Sequence, residues 1–394
     1  MSNARNITSV ILLVALAISF FSESINKALG RVEIQKSQLL RWENTTSLNN
    51  DCKVDHSANA CEDVKFHFAS NTAFLGCGDP EGRTSWYPGA GRHNAKRRKD
   101  FREKLFKYDV KSGKTTELRI EGLEGDFVTH GLDVFDVPGD VSKVHIMAVR
   151  HARGDDAISI FSHTLDSDVV TLVKDVQHPT IKTPNGVAAV GPLEFYITND
   201  HYYVRGMLRY LEEKFGPWSW TTNVVYCDAS NAEVVCRDVA RDFVHANGIA
   251  VNDGKIFVGD SQNATVSVFE MEPNRNLRLR HRVALGAAAD NINVIPTSGD
   301  LVVSVFPTLE NLPLYLDNTE KLGRELLVPA AALRLRKDKD YSPELLYRDS
   351  GAAISFMTAM AVDPYNSIAI GVGVLQYGGF AVCSLGEAAA KELR

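Results

Sequence analysis

Short apolar runs recur along the chain in pairs, each pair joined by a turn. In Val244–Asp260, Ile249 and Val251 alternate with small residues, and Ile256-Phe257-Val258 reads as a buried returning strand. Between them, Asn252-Asp253-Gly254 supplies a turn in which Asp-Gly suits positive φ. A polar residue opens the unit: Asn247, followed by Gly248, where the missing side chain lets the backbone pass closely. The arrangement recurs in five more places. Glu62–Phe68 leads into Thr72–Leu75, His130–Phe135 into Val144–Val149, and Asn185–Val190 into Glu194–Thr198. Asp290–Val294 leads into Gly299–Val303, and Met357–Val362 into Asn366–Ile370. These copies, about six at irregular spacings of roughly 45–70 residues, predict an all-β chain folded as a six-bladed β-propeller with variable loops. Phe106–Val110, Ser159–His163 and Val266–Glu270 read as matching outer strands of different blades.

Some stretches break the β pattern. Across residues 205–220, Met207, Leu208, Leu211 and Phe215 share one helical face, and Gly216-Pro217 ends the helix just before two tryptophans. This insertion is expected over one mouth of the propeller, as a lid or membrane-resting surface; the alternative is an insertion packed on the blades. Val10–Phe21 is an apolar run of about a dozen residues, shorter than the ~18–20 that span a bilayer comfortably, with Arg5 before it. It reads as a signal-peptide core or a short signal anchor, and either places the body of the chain in the secretory pathway, secreted or anchored with the propeller on the lumenal or extracellular side. The expected organisation is therefore 1–31 signal or anchor, 32–51 linker and helix, 52–383 propeller, and 384–394 tail.

Composition narrows the partners. The chain has 394 residues, 44% hydrophobic, with a formal net charge of −6, which gives no reason to expect nucleic-acid binding. A basic run at Arg92–Lys99 reads as a solvated loop rather than an anionic-ligand patch, because no aromatic residues interleave it. The six cysteines fit no zinc spacing. Cys52 precedes the first blade and Cys383 sits in the last strand, so a bond between them would close the ring. Cys227 and Cys236 flank a hairpin turn; Cys61 and Cys77 bracket another less symmetrically and stay open between a bond and free thiols. Asn44 and Asn263 begin N-glycosylation sequons.

In a propeller the innermost strands start around the central channel, so the polar residues opening the units converge on one axis. Glu62, Asn185, Asn247, Asp290 and Asn291 offer carboxylate and amide oxygens, the ligand type of a hard cation and of calcium above all. His130 holds the same phase in the second unit, and His151 ends the neighbouring strand. An imidazole pair beside a Lewis acid suits ester or lactone hydrolysis. No G-x-S-x-G elbow, G-x-G-x-x-G or P-loop is present.

These residues resemble the paraoxonase (serum arylesterase/lactonase) family over nearly the whole chain beyond the N-terminal segment. The resemblance is carried by Cys61-Glu62-Asp63, Thr129-His130-Gly131-Leu132, Val149-Arg150-His151, Asn185–Pro192, Thr198-Asn199-Asp200-His201-Tyr202-Tyr203, Ala246–Ile249 and Asp290-Asn291-Ile292. It implies a six-bladed propeller with two calcium ions in the tunnel, hydrolysing lactones and aryl esters. By resemblance, Glu62, Asn185, Asn247, Asp290 and Asn291 match ligands of the catalytic calcium, and His130 and His151 match the histidine dyad. Asp63 and the Leu132 carbonyl match ligands of a deeper, structural calcium, Asp200 and His201 stand near the pocket, and Cys52 and Cys383 match a ring-closing disulfide. The chain departs from the family in four places. Gly186 stands where the pattern has a further Asp, which leaves the structural ion fewer protein ligands. Phe306 replaces a frequent His, His245 an aromatic wall residue, and Ser261 a bulky apolar one, so the acyl pocket differs.

The expected function is thus a calcium-dependent lactone and aryl-ester hydrolase acting on small molecules, with lipid contact expected through residues 7–21 and 205–220. The rivals are a propeller enzyme of the gluconolactonase or strictosidine-synthase-like type, and a non-catalytic binding propeller that keeps calcium for stability alone.

Overall fold

The computed structural model describes residues 51–393 except 217, 219, 309–311 and 323, together with Val10, Ile11 and Val14, which are helical. The chain divides into two units, Met1–Thr45 and Thr46–Arg394. Most of the N-terminal run, the segment up to Asn50 and Asn44 with its sequon lie outside the described residues. Among the described residues, no helix is long and apolar enough to cross a membrane.

The second unit is a six-bladed propeller, with each blade a four-stranded antiparallel sheet. The predicted repeat marks the two inner strands of each blade. The innermost strands are Cys61–His67, Val128–Asp136, Pro184–Ala189, Ala246–Asn252, Ala288–Val294 and Met357–Asp363, for blades 1 to 6 in turn. Each packs against the next, and Met357–Asp363 packs against Cys61–His67, which closes the ring. The turn at Asp253-Gly254 has positive φ at both residues (48° and 69°), the tight hairpin geometry that Asp-Gly favours.

Neighbouring blades bury apolar faces against each other: Ala73 and Leu75 of blade 1 meet Ile370 and Val372 of blade 6. Blades 1 and 2 are also joined at their outer edges, where Lys114–Glu121 and Val169–Val176 pair in parallel. Blade 6 takes its fourth strand from the start of the propeller: Cys52–Asp55 pairs antiparallel with Phe380–Ser384. Cys52 and Cys383 face each other in that register and are bonded. Cys227–Cys236 is likewise bonded across its hairpin, and so is Cys61–Cys77, which the sequence leaves open. The C-terminal tail ends in a helix, Glu387–Leu393, whose Ala390 and Leu393 are buried with Met360 and Val362.

Candidate active site

In all six blades the innermost strand slips register against its partner near its start. The slips fall at Glu62 in blade 1, His130-Gly131 in blade 2, Asn185-Gly186 in blade 3, Asn247-Gly248 in blade 4, Asp290-Asn291 in blade 5 and Thr358 in blade 6. A bulge takes these residues off the ladder and re-aims their side chains. The repeated polar residue of the sequence is thus the bulge of each blade. Two glycines let the bulges crowd together. A Cβ at Gly248 would lie 2.5 Å from the Asp290 carbonyl oxygen, and one at Gly131 would lie 2.6 Å from that of Asn185.

The bulges surround a cavity of about 120 Å³ lined by Glu62, His130, Asn185, Asn247, Asp290 and Thr358. His245, Ser261, Phe306 and Tyr87 complete much of its wall. The amides are oriented from behind. Asn185 donates Nδ2 to Asp200 Oδ2 at 3.3 Å, and Asn247 donates Nδ2 to Ser261 Oγ at 3.0 Å. Ser261 in turn donates to the Ala289 carbonyl at 2.6 Å. Asn291 donates to Glu62 Oε1 at 2.7 Å. Three buried oxygens are left without a protein partner: Glu62 Oε2, Asn185 Oδ1 and Asn247 Oδ1. Burial, with Asp63 adding to it, pushes the Glu62 carboxyl up to about 8. Burial, then Glu62 and Asp63, raises Asp290 well above its ordinary value. Orphaned oxygens beside two carboxyls that resist ionisation are a donor set lacking positive charge, and they fit a hard divalent cation.

The deeper position fits an ion less well. Asp63 Oδ1 accepts from the Val64 N–H at 2.8 Å and Oδ2 from the Leu132 N–H at 3.1 Å. The Lys65 ammonium already stands 3.6 Å from Asp63 Oδ2 and donates to the Ile292 carbonyl at 2.9 Å. Gly186 supplies no carboxylate, and a Cβ there would meet Ile249 and the Asn247 carbonyl at 3.1–3.2 Å.

The two predicted histidines meet. His130 Nδ1 lies 2.9 Å from His151 Nε2, and His151 Nδ1 lies 2.8 Å from Asp156 Oδ2. All three side chains are buried. A carboxylate accepts only, so Asp156 fixes His151 as the Nδ1–H tautomer. His151 Nε2 then accepts from His130 Nδ1–H, which leaves the His130 Nε2 lone pair free. That nitrogen lies 3.6 Å from Glu62 Oε1. Burial and then His151 hold the His130 imidazole well below its ordinary range, so it is neutral at pH 7. Asp156 carries no repeat signal in the sequence; only its place five residues after His151 hints at a role.

Tyr87 also escapes the sequence reading, because its loop-like segment shows no period. The segment forms a short helix, Pro80–Ser85, and a small strand pair, Trp86–Tyr87 with Arg92–His93. The Tyr87 ring packs on His130 at 5.2 Å and on His151 at 6.0 Å. Arg83 lies over the same ring and grips Glu103 with two nitrogens, at 2.9 and 2.6 Å. Arg98 does not fit the expected solvated loop: it is buried and donates to Glu103 at 2.7 Å. A buried carboxylate shared by two arginines is a charged anchor for the segment that lines the His pair.

Asp200 and His201 follow the second strand of blade 3. Burial works against the Asp200 carboxylate, but His201, then His245 and Arg209, hold it well below the usual range. Burial lowers His245 to about 4. Asn263 is half-buried, with Nδ2 donating to Asp260 at 2.7 Å.

The predicted helical insertion is the helix Gly206–Phe215. It buries its polar side, Arg209 and Glu212, and exposes Met207, Leu208, Tyr210 and Phe215. Arg209 donates to the Pro88 carbonyl at 3.0 Å, and Glu212 accepts from the Tyr202 and Tyr203 N–H groups at 2.9 and 3.0 Å.

Fold and site define a class: a six-bladed propeller whose channel joins a cluster of amide and carboxylate oxygens to a relay of two imidazoles and a carboxylate. A family model described as Arylesterase matches residues 87–376, most of the propeller, and the chain belongs to that family. Among its relatives, serum paraoxonase/arylesterase 2 of Rattus norvegicus is 32% identical over 206 residues, covering 51% of this chain and 56% of that protein. Serum paraoxonase/arylesterase 1 of Rattus norvegicus is 30% identical over 263 residues, covering 66% of this chain and 70% of that protein. The first of these matches thus spans little more than half the relative's length. Among solved structures, a gluconolactonase from Xanthomonas campestris is 13% identical, with a TM-score of 0.49, covering 87% of this chain and 98% of that one.

Proposed function

We propose that this protein is a calcium-dependent hydrolase of lactones and aryl esters, with one resident cation at the channel mouth. The observation that carries this reading is the buried His130–His151–Asp156 relay opening beside orphaned amide and carboxylate oxygens. The names of the relatives, paraoxonase/arylesterase and paraoxonase/lactonase, support the substrate class. Glu62, Asn185, Asn247, Asp290 and Asn291 would hold the ion. Bound there, calcium would polarise an ester carbonyl and oppose the charge that builds on its oxygen.

The chain's own residues supply the proton chemistry. His130 Nε2 takes a proton from water as the water oxygen attacks the carbonyl carbon. The charge on His130 is shared through Nδ1–H with His151, which Asp156 orients and stabilises. As the C–O bond breaks, His130 Nε2–H returns the proton to the departing alkoxide or phenoxide, so the base is regenerated. Tyr87 covers the pair from one side, and Phe306, stacked on Phe356 at 4.7 Å, gives an apolar wall for an acyl or aryl group. A binding propeller that kept a cation only for stability would have no use for this ordered relay.

Asp156→Asn should lower kcat for lactones and phenyl esters by about tenfold or more with little change in KM, because the amide no longer enforces the His151 tautomer. Unchanged kcat would remove Asp156 from the relay. The function itself is tested by a panel of lactones and phenyl esters assayed before and after exhaustive calcium chelation, with Tm and bound calcium measured in parallel. We expect hydrolysis that is lost on chelation and restored by calcium, a fall in Tm, and close to one calcium per chain, since Lys65 already neutralises the deeper position. Stability that depends on calcium with no hydrolysis of any substrate would instead favour the binding propeller.

The three disulfides support an oxidising, secretory compartment. The exposed apolar side of the helix Gly206–Phe215, with Trp220 beside it, supports contact with a lipid surface near the segment that carries Tyr87.

A further inference from the structure

A second group of chemistry-bearing side chains meets at the cavity wall, outside the His130 relay. Asp200, His201 and His245 each present one ligand atom, a carboxylate oxygen or an imidazole nitrogen, and these atoms all lie within 4.8 Å of one another. Two elements bring them together: Asp200 and His201 leave the second strand of blade 3, and His245 directly precedes the inner strand of blade 4.

The group is held before any ligand arrives. The Asp200 N–H donates to the Thr183 carbonyl at 3.1 Å, and the His201 N–H donates to Thr183 Oγ1 at 2.9 Å. Thr183 Oγ1 donates back to the His201 carbonyl at 2.6 Å, and Asp200 Oδ1 lies 2.7 Å from His201 Nδ1. On the other side, the His245 N–H donates to Asp260 Oδ1 at 3.1 Å. The two imidazoles stand edge to face with centroids 5.2 Å apart. His245 Nδ1 is buried and has no hydrogen-bond partner. A buried ring nitrogen left unmatched beside a second imidazole and a carboxylate is short of an electrophile.

We propose that Asp200, His201 and His245 form a second metal site, of the zinc class, separate from the oxygen cluster that suits calcium. The division follows ligand chemistry: imidazoles select borderline-soft ions such as Zn²⁺, whereas amide and carboxylate oxygens select hard ones. Three protein ligands leave a coordination position open, and His245 lines the cavity, so the ion would present that position to whatever occupies it.

The test is independent of the hydrolase reading because it measures binding alone. The whole chain is titrated calorimetrically with zinc chloride, with calcium chloride present to occupy the oxygen cluster. Cobalt(II) absorption serves as a second readout of imidazole ligation. We expect one zinc per chain in the wild type. His245→Phe and His201→Gln should each weaken binding at least about tenfold, while His130→Gln retains it. His245→Phe keeps an aromatic ring on the cavity wall, and its circular dichroism and Tm establish that it is folded; it decides the result if His201→Gln fails to fold. Absence of zinc uptake, retention of zinc by His245→Phe, or loss of zinc in His130→Gln would each overturn the proposal, the last by placing the ion on the other imidazole pair.

Discussion

His130→Gln is expected to lower kcat for lactones and phenyl esters by roughly 10²–10⁴-fold, the usual contribution of a positioned general base. Glutamine approximates the imidazole's length but has no basic nitrogen. The His130 Nε2 lone pair exists because a run of tautomers, from Asp156 through His151, places the proton on Nδ1. Burial then keeps the ring neutral at pH 7. The amide variant retains a polar group beside Tyr87 and Glu62, so Tm and calcium affinity should stay close to those of the unaltered protein. The loss should appear in kcat rather than KM, because the proton moves only in the transition state. Activity near wild type on every lactone and ester tried would remove His130 as the base, and the oxygen cluster would then have to act with another group.

The second large effect concerns the ring. Cys52 and Cys383 are 331 residues apart in sequence, and their bond ties the first strand of the propeller to the last. The chain-entropy model gives about 6 kcal/mol for a loop of that size, although removing native disulfides generally costs about 2–5 kcal/mol. The Cys227–Cys236 loop spans 9 residues within one hairpin, for which the same model gives about 2.5 kcal/mol. Replacing Cys52 and Cys383 together by Ser should therefore lower Tm clearly more than replacing Cys227 and Cys236 together. The closing strand, Cys52–Asp55, is short and mostly only half-buried, so little besides its ladder and the disulfide holds it. Equal Tm values for the two double variants would mean that blade packing alone keeps the ring shut.

Much of the site is legible in the sequence because a propeller repeats. Period-2 apolar runs set the blades, and symmetry then carries the polar residue opening each unit to one axis. Glu62, His130, Asn185, Asn247, Asp290 and Asn291 are found that way, and all six are bulge residues in the structure. Thr358 holds the same phase, yet a lone threonine carries no chemical signal; it lines the cavity and donates to the Glu62 carbonyl at 2.7 Å. The Met207, Leu208, Leu211 and Phe215 stripe predicts the helix correctly, but not that its polar side is the buried one. Which side is buried is set by Arg209 and Glu212, which satisfy backbone groups of other segments.

By itself, then, the amino-acid order determines the all-β propeller, the ring of oxygen-bearing residues and the pairing of two histidines, because each follows from a repeated local pattern. Only the tertiary structure decides what each of these groups faces. It brings Asp156 to His151, Ser261 to Asn247, and Lys65 to Asp63. It sets Tyr87 over the His pair from a segment with no period, and it gathers His245 with Asp200 and His201 from two blades. The physical reason is that orientation, tautomer and charge balance depend on contacts across the fold. Such contacts leave no period in the chain, whereas burial and strand pairing do.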